Sequence, residues 1–400
     1  MNVIRNIVDR IKPTFEKGGK LGFLHSTFDA FETFLFVPNT VTRRGAHVRD
    51  CVDLKRVMIM VVIALVPAFI FGVWNTGYQH FLKFPTEYAE GDMWANFLPI
   101  LLHGLIKVLP LYVVAYAVGL SIEFISAQIK GHEVNEGYLV SGMLIPLIVP
   151  VDVPLWMLAI AVAFAVLIGK EVFGGTGMNI WNPALLTRAF LFFSYPSKMS
   201  GDTVWISNLS NVDGMTGATP LALVKPTPEA LANPELMPTT ATLDNAGYSL
   251  FDMIVGTIPG SVGETSVIAI LIGAVILLWT GVASWKIMVS SILGGLAIGY
   301  LGQLVGHTAI PCYYQLLMGG FLFGTVFMAT DPVTSAQTEY GKWIYGFLVG
   351  ALAVTVRIWN SGYPEGMMLA ILLMNTFAPL IDHYVIEFSL KRRAKKVKIA

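Results

Sequence analysis

The chain has 400 residues, with 26 lysines and arginines balanced by 26 aspartates and glutamates, 55% hydrophobic residues and only 13% charged ones. Its mean hydropathy is +0.66; soluble chains carry about 25% charged residues, so this is the composition of an integral membrane protein, and its zero net charge gives no reason to expect a nucleic-acid partner. Cys51 and Cys312 are too few for a zinc site or an iron–sulfur cluster, so any redox cofactor must be held by other groups.

The first 56 residues show no cleavable signal peptide. Their opening, "MNVIRNIVDRIKPTFEK", alternates apolar and charged residues at helical spacing, as a segment lying on the membrane surface or packed on the protein would. The aromatic cluster Phe28, Phe31, Phe34 and Phe36 favours contact over a bare tail. Charge-poor apolar runs of the roughly 17–25 residues that cross a hydrocarbon core follow. They lie near 57–75, 97–119, 138–150, 154–169, 182–196, 266–285, 287–305, 313–330, 343–358 and 366–385. The runs 138–150 and 182–196 are short and contain or begin at proline, which suits broken or re-entrant helices. Residues 287–330 hold no charge yet are too long for one helix, so a turn is expected at "GHTAIP", 306–311. Gly295/Gly299 and Gly320/Gly324 have the GxxxG spacing of closely packed helices.

Ten of the 26 basic residues fall in 1–56 and six more in the tail "KRRAKKVK", so both ends are expected in the cytoplasm, in agreement with an even number of spans. The long interruption, 197–265, then faces outward, and its carboxylates outnumber its lysines, Lys198 and Lys225. An internal repeat adds to this plan. "VPVDVP" is followed by an apolar span and "NIWNPALL", while "ATDPVT" is followed by an apolar span and "RIWNSGYPEG"; Asp152 precedes Asn182 by 30 positions and Asp331 precedes Asn360 by 29. Five spans separate the copies, so the second is inverted relative to the first. The expected fold is an all-α polytopic membrane protein of about ten transmembrane helices in two inverted five-helix repeats with short broken helices. Its segments are a cytoplasmic 1–56, a first repeat 57–196, an exported loop 197–265, a second repeat 266–385 and a basic tail 386–400.

Polar groups at membrane depth are costly unless paired or hydrated. Asp331 ends an apolar run and precedes Pro332, Thr334 and Ser335, oxygen-bearing groups suited to a hard cation such as sodium, or else it caps the following segment. Asp382, beside His383, reads first as a membrane-interface residue, and Gly131, His132, Glu133 and Glu136 of "GHEVNEG" form a cytoplasmic loop that is either solvated or able to bind a cation or polar head group. In "GKEVFGGTGMNIWNPALLTRAF", Lys170 and Glu171 can pair, and Gly174, Gly175 and Gly177 allow a ligand to approach the backbone. The segment lacks the GxxxxGK[ST] spacing, which excludes a phosphate-binding loop of that type. Asn179 and Asn182, three apart, can hydrogen-bond the edges of a planar heteroaromatic ring such as a flavin if both lie on one helical face; capping is the alternative. "DGMTGATPLA", 213–222, sets Thr216 and Thr219 around small residues in the exported loop, either as a plain turn or as a site of modification.

"HEVNEG", "GKEVFGGTGMNIWNPAL", "TGAT", "FMATDPV" and "YPEGMMLAILLMN", in this order along the whole chain, resemble the B-subunit family of the bacterial sodium-translocating NADH:quinone oxidoreductases. The related D subunits of the Rnf ferredoxin:NAD oxidoreductases share the membrane core but typically lack so long an N-terminal segment. The resemblance implies FMN joined by a phosphoester to Thr219 through an outer-side flavin transferase, with Thr216 where serine is commoner. It also implies a non-covalent riboflavin, ubiquinone as substrate, sodium as the pumped ion and the bacterial inner membrane as location. On that reading Gly174, Gly175, Asn179 and Asn182 serve riboflavin, and Asp331, Asp382 and Glu136 the sodium path. Gly131, His132, Glu133, Phe28 and Phe31 serve the quinone, and no metal beyond sodium is expected. Implied partners are a second FMN-carrying subunit, an NADH-oxidising subunit with flavin and iron–sulfur centres, and further membrane subunits. No GxGxxG with strand–helix context marks an NADH site in this chain. A channel or transporter without redox chemistry would explain the spans and the repeat but not "DGMTGATPLA".

Overall fold

Backbone buried in lipid must satisfy its own hydrogen bonds, and the apolar runs accordingly fold as helices. The computed structural model describes residues 2–15, 54–84, 96–130, 137–212, 214–225, 233–360 and 365–397, with isolated positions between 22 and 46 and at 227 and 229. In chain order the main helices are α1 (Asn2–Phe15), α2 (Leu54–Lys83), α3 (Phe97–Lys130), α4 (Tyr138–Ile148), α5 (Leu155–Val166) and α6 (Pro183–Ser194). There follow α7 (Val267–Trp279), α8 (Trp285–Val305), α9 (Glu339–Trp359) and α10 (Gly366–Val397). Between α8 and α9 the run 313–330 is broken into Tyr314–Leu317, Phe321–Phe323 and a π-helical turn, Gly324–Met328. The turn expected at 306–311 is present, with Gly306 in the left-handed conformation (φ 79°) closing α8.

Among the described residues five helices, α2, α3, α8, α9 and α10, are long and apolar enough to cross a membrane. The shorter α4, α5, α6 and α7 have 11, 12, 12 and 13 residues. α4 shows why a short helix suffices: Ser141 through Ile148 are all buried, and α2, α3 and α6 pack around it, so neighbouring protein rather than lipid surrounds its ends.

Small residues set the closest approaches. A Cβ at Gly104 would run into the Val73 carbonyl and one at Gly77 into that of Ile100, which holds α2 against α3. Gly294, Gly346 and Gly350 do the same for α8 and α9, against Phe347, Ile287 and Ser291. Gly295 and Gly299 instead face the broken segment, at Phe321 and Cys312, while Gly320 abuts Glu264 and Gly324 abuts Met367.

From α2 to α10, counting the broken segment, successive elements run alternately between two ends. At the first end the start of α2 (Val57, Met58) shares a cavity with Lys170, Asn182, Ala283 and Asp331. At the second end Asn75 donates to the Ile258 carbonyl (3.0 Å), and His80 and His103 meet Ser207. Lys107 bonds Asp152 (3.3 Å) and Asn208 (2.7 Å) there. The described parts of 197–265 are not a bare loop. Leu221, Val224, Leu243, Met253 and Ile258 form a small apolar cluster rooted on Ile310, Tyr314 and Met318. At the N-terminus, Lys12 pairs with Glu32 (2.8 Å) and Phe15 stacks on Phe28 (centroids 4.8 Å apart), so α1 packs on protein.

Candidate functional site

The first-end cavity gathers residues far apart in sequence. Val57, Val61, Leu144, Leu277, Val282 and Phe327 give apolar walls, and Ser141, Lys170, Thr176, Asn179, Asn182 and Asp331 give polar edges. Two π-helical turns deliver part of this lining: Leu167–Glu171 ends α5 at Lys170, and Gly324–Met328 ends the broken segment just before Thr330 and Asp331. Such turns add a residue per turn and redirect the side chains after them.

Asn179 and Asn182 do reach one cavity, but not on a helical face. They lie in the irregular stretch before α6, where Asn182, itself extended, is the N-cap: its Oδ1 accepts from the amides of Ala184 (3.0 Å) and Leu185 (3.4 Å). Asn179 donates to the Trp181 carbonyl (3.0 Å). Pro183 at the first helical position fixes the helix start, which is why the pair cannot share a helical turn. The amide nitrogen of Asn182 donates to Asp331 Oδ2 (3.4 Å). Asp331 also accepts from the Val333 amide (3.1 Å) and the Thr334 hydroxyl (3.0 Å). The two candidate sites, asparagines for a ring and aspartate for a cation, are therefore one site, and Asp331 both caps its turn and faces the cavity.

Gly174, Gly175 and Gly177 have φ of 118°, 95° and 90°, values a side chain would make costly, so they are required by the turn itself. Thr176 lines the cavity, whereas Gly174 and Gly175 do not. Lys170 and Glu171 do not pair with each other. Lys170 forms a buried ion pair with Glu123 of α3, and Glu171 accepts from Lys130 (2.9 Å) and Ser126 (2.5 Å). The π-helical turn points neighbouring side chains at different parts of α3. Asp382 is occupied as a cap, accepting from Gln337 N (2.7 Å), Thr338 N (3.0 Å) and the Thr338 hydroxyl (2.5 Å), and so fastens α10 to the start of α9. Gly131, His132, Glu133, Glu136 and Phe31 lie outside the described residues.

At the second end Thr219 is half-buried and caps the short helix Pro220–Leu223, its oxygen accepting from Ala222 N (3.2 Å). This bond uses a lone pair, so an ester at the same oxygen could keep it. Gly217 is buried, with Ile206 and Leu209 in the space a Cβ would need, and its amide donates to the Asp202 carbonyl (3.0 Å). The Tyr248 hydroxyl donates to the Ala218 carbonyl (3.0 Å), and burial pushes that hydroxyl above its ordinary value. Thr216 is exposed. Thr219 lines a crevice with Trp205, Ser261, Thr265, Glu264 and Glu365.

Sequence reasoning passed over Glu123, Arg188, Glu264, Arg357 and Glu365. The signal was available for Arg188 and Arg357, each an ionisable residue inside an apolar run.

The model of the NQR2, RnfD, RnfE family matches residues 41–391. The chain is 45% identical to the B subunit of the Na(+)-translocating NADH-quinone reductase of Ectopseudomonas mendocina (strain ymp), over 98% of both chains. It is 43% identical to the protein of that name from Stutzerimonas stutzeri (strain A1501) and 44% to that from Azotobacter vinelandii (strain DJ / ATCC BAA-1303), again over 98% of each. With a family match over most of its length and relatives this similar from end to end, the chain belongs to the NQR2, RnfD, RnfE family.

Proposed function

We propose that this chain is the membrane subunit of a sodium-translocating NADH:quinone reductase, passing electrons from FMN esterified to Thr219, through riboflavin, to ubiquinone, coupled to sodium export. The observation that carries the reading is end-to-end identity of 45% to a protein so named. The alternative of an Rnf-type D subunit is less favoured, because the relatives cited match over 98% of this chain, its N-terminal segment included. Bound flavin supplies one- and two-electron redox chemistry, and the protein supplies position and electrostatics.

The residues present fit these groups. The first-end cavity combines apolar walls with amide groups at Asn179 and Asn182, the kind of lining that suits a riboflavin ring. Asn182, fixed by its cap bonds, orients the ring edge, and Asp331, held by Asn182, offers a carboxylate oxygen to sodium beside it. The coupling is electrostatic: at low dielectric a cation bound at Asp331 and the charge of the neighbouring ring alter each other's affinity reciprocally. Asp382 and Glu136 are assigned to the sodium path, and Gly131, His132, Glu133, Phe28 and Phe31 to the quinone entry, on the family resemblance of their motifs.

The ten-helix inverted repeat is supported by element pairing. With the broken segment as the counterpart of α4, the halves match α2–α6 to α7–α10, and the counterparts α2 and α7, and α6 and α10, pack on each other. Asp152 and Asp331 then sit at opposite ends, as inversion requires. The positive tail and N-terminal segment support an orientation in the bacterial inner membrane with the first end facing the cytoplasm and Thr219 outside, within reach of a flavin transferase. The other subunits supply NADH oxidation, iron–sulfur centres and the second FMN.

A phosphoester survives denaturation, whereas non-covalent flavin leaves with unfolding. Fluorescence of the denatured gel band is therefore expected in wild type and Thr216→Val, and absent in Thr219→Val, with the peptide 213–222 heavier by one FMN less one water. Retained fluorescence in Thr219→Val would overturn the assignment.

A further inference from the structure

A second buried polar cluster lies between the two ends. Arg188 of α6 bridges two carboxylates, bonding Glu264 Oε1 (2.8 Å) and forming an ion pair with Glu365 at the start of α10. Ser261 donates to the other oxygen of Glu264 (2.6 Å). Arg357 of α9, 3% exposed, lines the same cavity, together with Met328 and Met367. The four side chains carry two positive and two negative charges, so the cluster is neutral, as burial demands.

Two features set it apart from a structural ion pair. Glu264 and Glu365 line both this inner cavity and the outer crevice that holds Thr219, so the carboxylates are the wall common to the two spaces. Among the described residues, Arg357 Nε and Thr265 Oγ1, both buried, have no hydrogen-bond partner; one sits in each space. A buried hydroxyl oxygen such as Thr265 Oγ1 is satisfied by water or a cation, whereas the Arg357 Nε–H, a donor, needs an acceptor such as water. α6 also begins at Asn182, the partner of Asp331, so one helix joins the first-end cavity to this cluster.

We infer that Glu264 and Glu365 form an outward alkali-cation site, in which the Arg188 guanidinium and a monovalent cation occupy the carboxylates alternately. While Arg188 bridges both, the site is charge-balanced and closed. When a cation reaches the carboxylates from the inner cavity it replaces the guanidinium, and Arg188 returning to its partners releases the cation into the crevice beside Thr219. Gly320 is part of the device: a Cβ there would collide with the Glu264 carboxylate. No covalent or redox step is involved.

This inference rests on the cation-translocating reading above. The test uses the complete complex in sealed vesicles, with sodium ions as probe, and reads sodium moved per electron delivered to quinone. Glu264→Gln and Glu365→Gln are expected to lower that ratio at least tenfold, and Gly320→Ala, which removes no charge, to lower it severalfold. The double variant Arg188→Met with Glu365→Gln keeps the net charge of the cluster at zero, with Glu264 still bonded by Ser261; its assembly is checked by subunit content and flavin content, and it is expected to lose the ratio as the single variants do. A wild-type ratio in the double variant and in Glu264→Gln would overturn the inference and make the cluster a structural brace. A wild-type complex that reduced quinone without moving sodium would instead sink the functional reading itself.

Discussion

Asp331 shows how one side chain serves two ends at once. Its carboxylate holds the Val333 amide and the Thr334 hydroxyl, which is a turn cap, and it receives Asn182 across the cavity, which is a site contact. Asp331→Asn keeps the shape and much of the cap but removes the charge a cation needs. It is expected to raise the sodium concentration for half-maximal quinone reduction more than it lowers riboflavin content, and unchanged sodium dependence would take Asp331 out of the path. Tyr248→Phe probes the other end. Loss of its bond to the Ala218 carbonyl should cost about 1 kcal/mol locally. The consequence expected is faster proteolytic nicking within 213–225, with flavin still attached at Thr219; nicking at the wild-type rate would count against this bond as the anchor.

Helices here are positioned by what their small residues allow. α8 and α9 touch backbone to backbone at Gly350, where a Cβ would overlap the Ser291 carbonyl, and neither chain can yield as a flexible side chain would. Gly350→Val is therefore expected to cost about 1–3 kcal/mol through overpacking. The reading would be a lower midpoint of thermal unfolding of the detergent-solubilised protein. Leu348→Ala, on the exposed side of the same helix, should shift the midpoint less, and equal shifts would mean that the close approach at Gly350 is not what holds the helices. The π-helical turns act at the same scale: each ends beside the first-end cavity and turns a charged or polar residue into it, Lys170 from one and Thr330 with Asp331 from the other.

Across the whole molecule the alternation of elements between two ends fixes which residues share a side. Asn245, exposed in the 197–265 segment, and Lys391, exposed near the end of α10, belong to opposite ends. With Cys51 and Cys312 first replaced by serine, an impermeant thiol reagent added to intact spheroplasts should label Asn245→Cys and leave Lys391→Cys unlabelled until the membrane is opened. The reverse pattern would invert the orientation and place Thr219 in the cytoplasm, out of reach of an outer-side transferase.

The amino-acid sequence by itself determined the all-helical class of fold, where its apolar runs lie and where some of them break. Apolar runs, the proline-marked short helices, the turn at 306 and the basic ends are local properties, set by the length of lipid to be crossed and by the backbone limits of proline and glycine. The motif strings carried the family in the same way, because they are contiguous. Tertiary structure alone decided the partners: Asn182 with Asp331, 149 positions apart, Lys170 with Glu123 rather than Glu171, and Arg188 with Glu264 and Glu365. Adjacent charges such as Lys170 and Glu171 suggest pairing in one dimension, but a π-helical turn sends them to different neighbours, and a buried charge settles on whichever opposite charge the packing brings to it.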